Sequence, residues 1–141
     1  MKEIDEFAYG SYGDYSGVVF YSRLNDGSKL DRLTVSNFYI HPLFHGLLDR
    51  ARREQGGDRV PRLVADWTTL TGWRAGGVAT PVSPNDATEF AAALGQLGPA
   101  DLAEHCSGGR VDDCLRCGAV IREFIDTLLA GGANLLVIED D

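Results

Sequence analysis

Long hydrophobic runs are missing from this sequence, and no stretch approaches the roughly 20 apolar residues that a membrane-spanning helix needs. The first residues also lack the basic segment followed by an apolar run that marks an export signal. These two absences predict a cytoplasmic protein that does not bind a membrane.

Basic residues are in the minority, with 13 Lys and Arg against 21 Asp and Glu, which gives a formal net charge of −8. Binding to a nucleic-acid backbone requires clustered basic side chains that displace counterions, so we expect no nucleic-acid partner. The acidity is concentrated in residues 101–141, which carry 9 acidic and 3 basic residues. Such a surface suits a protein partner that presents a basic surface.

Lysine is nearly absent, since only Lys2 and Lys29 occur beside 11 arginines. Together with abundant Ala and Gly, this usage fits a bacterial genome rich in G and C.

Arg50, Arg52 and Arg53 form a basic cluster on a predicted helix. Asp49 and Glu54 flank them at distances that allow local ion pairs. We interpret this cluster as a solvated helix face.

The sequence contains only three cysteines, an odd number that argues against a disulfide framework in a chain without an export signal. His105 and Cys106, followed by Cys114 and Cys117, have half of the ligand pattern of a zinc site. However, both cysteines of the C-x-x-C pair fall in phase with the apolar residues of the last predicted helix. We therefore predict that they are buried core residues, and we expect neither a metal ion nor another cofactor.

Signatures of catalysis are also missing, because the chain has no G-x-S-x-G elbow, no Walker loop and no G-x-G-x-x-G motif. His41 and His45 are four residues apart, but Pro42 predicts that His41 lies just outside a helix, and no third metal ligand is close in the sequence. Asp66 lies at the end of a predicted strand, where carboxylates often line active sites, but a lone Asp is more often a cap or a solvated residue. We expect a binding protein rather than an enzyme.

Hydrophobic periodicity and turn residues predict a series of short strands and helices. In the first half of the chain, we predict a β-hairpin from 18–21 and 33–40, a helix at about 42–55, a strand at 60–67 and a loop at 68–82. In the second half, we predict a helix from Ser83 and Pro84, a short helix after Pro99 that ends at Gly108, a helix from Asp112 or Asp113 to Ala130, and a strand at 135–138.

This order predicts a single α+β domain over residues 1–141. A small mixed or antiparallel sheet, made of the N-terminal hairpin, a middle strand and a C-terminal strand, would be covered by three to four helices.

The segment with the strongest recognition character is rich in tyrosine, serine and glycine and contains Tyr9, Tyr12, Asp14 and Tyr15. Tyrosine supplies a large and rigid contact area, while the small residues supply adaptability. We predict that these residues bind a partner, together with Trp73 beside a glycine-rich loop. The alternative is an edge strand whose tyrosines pack on a sheet.

These observations lead to one functional expectation and one alternative. We expect a small acidic bacterial protein that binds another protein, such as a toxin-neutralising immunity protein or another inhibitor. The alternative is an enzyme or a zinc-binding protein that uses His105, Cys106, Cys114 and Cys117, in a site that would join them to His45 and Asp66 across the fold.

Overall fold

The computed structural model describes residues 2–8, 17–55, 60–106 and 110–140. Its elements form an α+β fold with a five-stranded mixed sheet and four helices of seven or more residues, which confirms the predicted fold class. The strands are β1 (Lys2–Ile4), β2 (Gly17–Arg23), β3 (Lys29–Ser36), β4 (Thr80–Val82) and β5 (Asn134–Asp140), and the helices are α1 (Asn37–Gln55), α2 (Arg62–Thr69), α3 (Pro84–Gln96), α4 (Pro99–Leu102) and α5 (Val111–Ala130), with a 3₁₀ helix at Gly72–Arg74.

The strand order in the sheet is β1-β3-β2-β5-β4. The predicted hairpin forms the centre, because β2 and β3 pair antiparallel with Phe20 opposite Leu33. Strand β5 pairs antiparallel with the other side of β2 and with β4. Strand β1 pairs parallel with β3 and is an edge strand among the residues that the structure describes.

The main core lies between one face of the sheet and the helices. Alternate residues of the central strands, such as Val18 and Phe20, are fully buried in one cluster with the apolar faces of the helices. The Phe90 ring of α3 links the two layers, since its centroid is 6.4 Å from that of Phe20 and 5.6 Å from that of Phe44 on α1. Aromatic pairs at these distances add to the stability that burial provides.

Helix α1 begins at Asn37, five residues earlier than the sequence predicts, and Pro42 lies inside it. The predicted strand that ended at Ile40 therefore ends at Ser36, whose hydroxyl accepts a hydrogen bond from the Phe38 N–H at 3.2 Å. Burial of Ile40, Pro42 and the next two residues favours the longer helix. As a result, His41 lies on the helix and not before it.

The strand predicted at 60–67 is wrong, because the chain forms helix α2 there. Its buried residues are Leu63, Val64 and Trp67, which is the spacing of a helix face. Ala65, which alternates with Leu63 and Trp67 in the sequence, is only partly buried. Arg62 and Asp66 form an i,i+4 ion pair of 3.2 Å along the helix. The strand that lies between the hairpin and the C-terminal strand in chain order is instead β4, an edge strand of the sheet within the segment predicted as a loop.

The helix start at Ser83 is confirmed, since its side chain accepts a hydrogen bond from the Asp86 N–H and Pro84 occupies the first turn. Helix α5 ends at Ala130 as predicted. The short helix α4 ends at Leu102, and its predicted end at Gly108 lies outside the described residues. Within the described part of the chain, none of the helices is long and apolar enough to cross a membrane.

Candidate functional site

The predicted recognition segment with Tyr9, Tyr12, Asp14 and Tyr15 lies outside the described residues. Trp73 is described, and it lies in the core with 3% of its surface exposed. Its indole N–H donates a hydrogen bond of 2.8 Å to the Leu63 carbonyl oxygen. A partner would reach little of this side chain in the structure.

A groove with a volume of about 630 Å³ runs between edge strand β1 and the C-terminal half of α5. The lining also includes Ser22 of β2 and Asp31 of β3, so the groove lies between the sheet and α5. The groove is lined by more apolar than polar surface. Its apolar lining comes from Ile4, Val120, Phe124, Leu128 and Ala133.

The charged residues that line this groove are mainly acidic. The acids are Glu3, Asp5, Glu6, Asp31 and Glu123, and the base is Lys2. Glu6 is partly neutralised by Arg116 at 2.9 Å, although both side chains are more than half exposed. The groove therefore combines an apolar lining with a negatively charged rim.

The three cysteines lie close together, but the structure disfavours thiolate chemistry for two of them. Cys114 and Cys117 lie on the buried face of α5, as their spacing predicts. Burial, with the contact to Cys106, raises the pKa of Cys114 to about 12, and burial also raises the pKa of Cys117 well above 9.0. The Cys106 and Cys114 sulfurs are 3.2 Å apart. Thiols of this kind behave as buried apolar groups.

All three histidines of the chain lie in one row. His41 and His45 are one turn apart on α1, with ring centroids separated by 6.0 Å, and His105 stacks on His45 at 5.5 Å. The Trp67 ring packs edge-on against His41 at 5.2 Å and against His45 at 5.3 Å. Burial and the neighbouring imidazoles lower the pKa of His45. These surroundings favour the neutral form of His45.

Two carboxylates accompany the end of this row. Asp49 lies one turn beyond His45 on α1, and its Oδ2 is 2.5 Å from His105 Nε2. Glu104 precedes His105 in the turn after α4, and one polar atom of each of these three residues lies within 4.8 Å of the others. The sequence offered only part of this arrangement, because His105 is 56 residues away from Asp49 along the chain.

The arginine cluster on α1 is less solvated than the sequence suggests. Asp101, at the start of α4, is 8% exposed and accepts hydrogen bonds from Arg50 at 3.3 Å, from Arg53, and from the Gly98 N–H at 2.9 Å. Arg52 stays on the exposed side, 3.9 Å from Asp49. Two of the three arginines thus hold α4 against α1.

The alternative site that would join Asp66 to the histidines and cysteines is only partly assembled. The structure brings His45 and His105 together, whereas the Asp66 carboxylate accepts hydrogen bonds from Arg62 at 3.2 Å and Thr71 at 3.3 Å. Sequence reasoning missed Glu104, and also missed the acids of residues 2–6 as part of a groove. The one available signal was the i,i+4 spacing of His45 and Asp49.

Comparison of the chain with protein-family models, with curated protein sequences and with solved structures finds no match.

Proposed function

We propose that this bacterial, cytoplasmic protein binds and inhibits another protein, as a toxin-neutralising immunity protein does, by receiving a basic segment of its partner in the groove between β1 and α5. The observation that carries the proposal is the acidic rim around an apolar lining: five acids and one lysine among the described lining residues. Charge complementarity therefore selects a partner segment with Arg or Lys next to an apolar anchor.

The two parts of the groove contribute in different ways. Acidic rims raise the rate at which a basic partner associates and reject acidic competitors, and this effect weakens as salt is added. The apolar lining lets one or two partner side chains leave water, which supplies the slower dissociation. Occupying a basic surface of an enzyme or toxin in this way would block its access to substrate.

Continuity along the chain joins the groove to the tyrosine segment. Residues 2–6 line the groove, and the predicted recognition residue Tyr9 follows three positions after Glu6. The segment with the composition of a recognition loop thus begins directly after the described residues 2–8 in the sequence.

The test uses a fluorescein-labelled synthetic peptide of alternating leucine and arginine, and measures its anisotropy with the purified protein. We expect the double reversal of Glu3→Lys and Glu123→Lys to weaken binding at least about tenfold, because each reversal replaces an attraction by a repulsion. Thr127→Trp should also weaken binding, since Thr127 is exposed on the groove wall and the larger ring would fill the space.

The control is Asp126→Lys, which makes the charge change of one of these two reversals on the exposed face of α5 without altering a groove residue. It should weaken the affinity less than about threefold, and we attribute this small loss to the long-range repulsion between the added positive charge and the basic peptide. Equal losses for the control and for the double reversal would mean that the peptide senses only net charge. Equal binding of a leucine and glutamate peptide, or no effect of Thr127→Trp, would also reject the groove as the binding site.

A further inference from the structure

The cluster of Asp49, Glu104 and His105 lies apart from the groove and has the composition of a metal site. One ligand atom of each residue lies within 4.8 Å of the others. The residues come from two segments, α1 and the turn after α4, which the buried Asp101 pairs with Arg50 and Arg53 hold together. The relative positions of the two segments are therefore set by packed structure, while the Glu104 side chain is exposed.

The Glu104 carboxylate has no hydrogen bond or ion pair with another residue in the part of the chain that the structure describes. Asp49 and His105 are partly exposed, with 35% and 23% of their side chains accessible, so an ion could enter from solvent. His45 stacks on His105 at 5.5 Å and adds a second imidazole beside the cluster. Neutral imidazole and carboxylate are the ligands that Zn²⁺ and similar ions prefer.

The distances define what binding would require. Two ligands on one tetrahedral zinc ion are separated by about 3.3 Å, given metal–ligand bonds of about 2.0–2.1 Å. Asp49 Oδ2 and His105 Nε2 are 2.5 Å apart, so the ion would replace their hydrogen bond and separate the two atoms by less than about 1 Å. Rotation of partly exposed side chains can supply this movement.

Charge near the cluster is also compatible with a divalent ion. Two carboxylates would balance its charge, and Arg53 is already occupied by Asp101. Arg52 is 3.9 Å from Asp49, but its side chain is 65% exposed and can turn towards solvent. The fold thus brings Asp49 together with Glu104 and His105 from a distant part of the chain.

We infer that Asp49, Glu104 and His105 bind one divalent first-row transition-metal ion of the Zn²⁺ type, which leaves a fourth coordination position to solvent. This site goes beyond the proposed protein-binding function and uses none of the residues of the groove. It also differs from the cysteine site considered from the sequence.

The experiment is calorimetric titration of chelator-treated protein with ZnCl₂. We expect one ion per chain, and we expect His105→Ala and Glu104→Gln each to weaken zinc binding at least about tenfold, because even residues that only orient metal ligands change affinity by this amount. Circular dichroism and thermal melting without metal would show that each variant keeps its fold.

Two controls separate this site from its neighbours. Cys106→Ser should leave zinc affinity within about twofold of the wild type, and so should His41→Ala, which removes the histidine farthest along the row. Absence of saturable zinc binding would overturn the inference. A loss for Cys106→Ser or His41→Ala as large as that for His105→Ala would also overturn it, because the ion would then be held elsewhere.

Discussion

Asp101 shows how one buried carboxylate organises two helices. Burial raises its pKa, but the Gly98 N–H together with the guanidinium groups of Arg53 and Arg50 outweighs that effect and lowers the pKa below 3.8. Because the folded state favours the charged form, the interaction stabilises the fold wherever the carboxylate is ionised. This role was hidden in the sequence, where Asp101 is simply the third residue after Gly98.

We predict that Asp101→Asn lowers the free energy of unfolding by about 1–3 kcal/mol at pH 7, because two arginines lose a charged acceptor near the core. The difference in free energy of unfolding between this variant and the wild type should be constant well above about pH 4, where the carboxyl of the unfolded chain titrates. The difference should shrink as the pH falls through the lowered pKa of Asp101 in the folded state. Urea unfolding at a series of pH values measures this. A difference that is equally large at pH 2 and at pH 7 would contradict the charge-based explanation.

Gly17 is required by the close approach of strands β2 and β3. A Cβ atom at this position would overlap the Val35 carbonyl oxygen and lie 2.9 Å from Ser36 Cα, and both are backbone atoms that cannot turn away. The sheet must shift to accept any side chain here.

We therefore expect Gly17→Ala to destabilise the protein by about 1–3 kcal/mol, as overpacking does. Gly76→Ala is the matched control, since its nearest neighbour would be Val78 Cγ2 at an ordinary 3.8 Å. Chemical denaturation of both variants should show a change within about 0.5 kcal/mol for the control. Similar values for the two would show that the contact at Gly17 relaxes without cost.

At the scale of elements, the sequence was most informative where several signals agreed. Helix α3 carries its capping Ser83, its Pro84 and a regular apolar face, and it forms as predicted. Helix α2 was predicted as a strand because Leu63, Ala65 and Trp67 alternate, whereas tertiary packing buries Val64 as well. In a segment of only eight residues, periodicity alone does not separate the two structures.

Helix α1 illustrates a second limit. Proline usually marks the first turn of a helix, yet Pro42 is in the sixth position of α1, and its ring is buried. The correction has a functional consequence, because it places His41 and His45 on one helix face. Candidate ligands that meet only in the tertiary structure, such as Asp49 and His105, give no signal in sequence spacing.

The tyrosine segment remains a prediction at this scale. We expect Tyr12→Ala to reduce affinity for the native partner at least roughly thirtyfold, about 2 kcal/mol, while circular dichroism and melting stay unchanged. The partner would first be recovered from the host with the wild-type protein and then titrated with single alanine variants of Tyr9, Tyr12 and Tyr15. If every variant binds as tightly as the wild type, or each one unfolds, the tyrosines are structural.

Across the whole molecule, charge was predictable in amount but not in arrangement. The sequence places most of the negative charge after residue 100. The fold brings the acids of residues 2–6 beside Glu123 on α5, so that two distant acidic stretches line one groove. Only the parallel pairing of β1 with β3 creates this neighbourhood.

The sheet order also sets the sequence of events in folding. Strands β2 and β3 can pair early, because a short turn connects them. Strand β5, in contrast, pairs with β2 across about 110 residues and also provides the only sheet partner of β4 among the described residues. During synthesis, one edge of β2 therefore stays open until residues 134–140 emerge, and the backbone N–H and C=O groups along that edge lack this strand partner for most of translation.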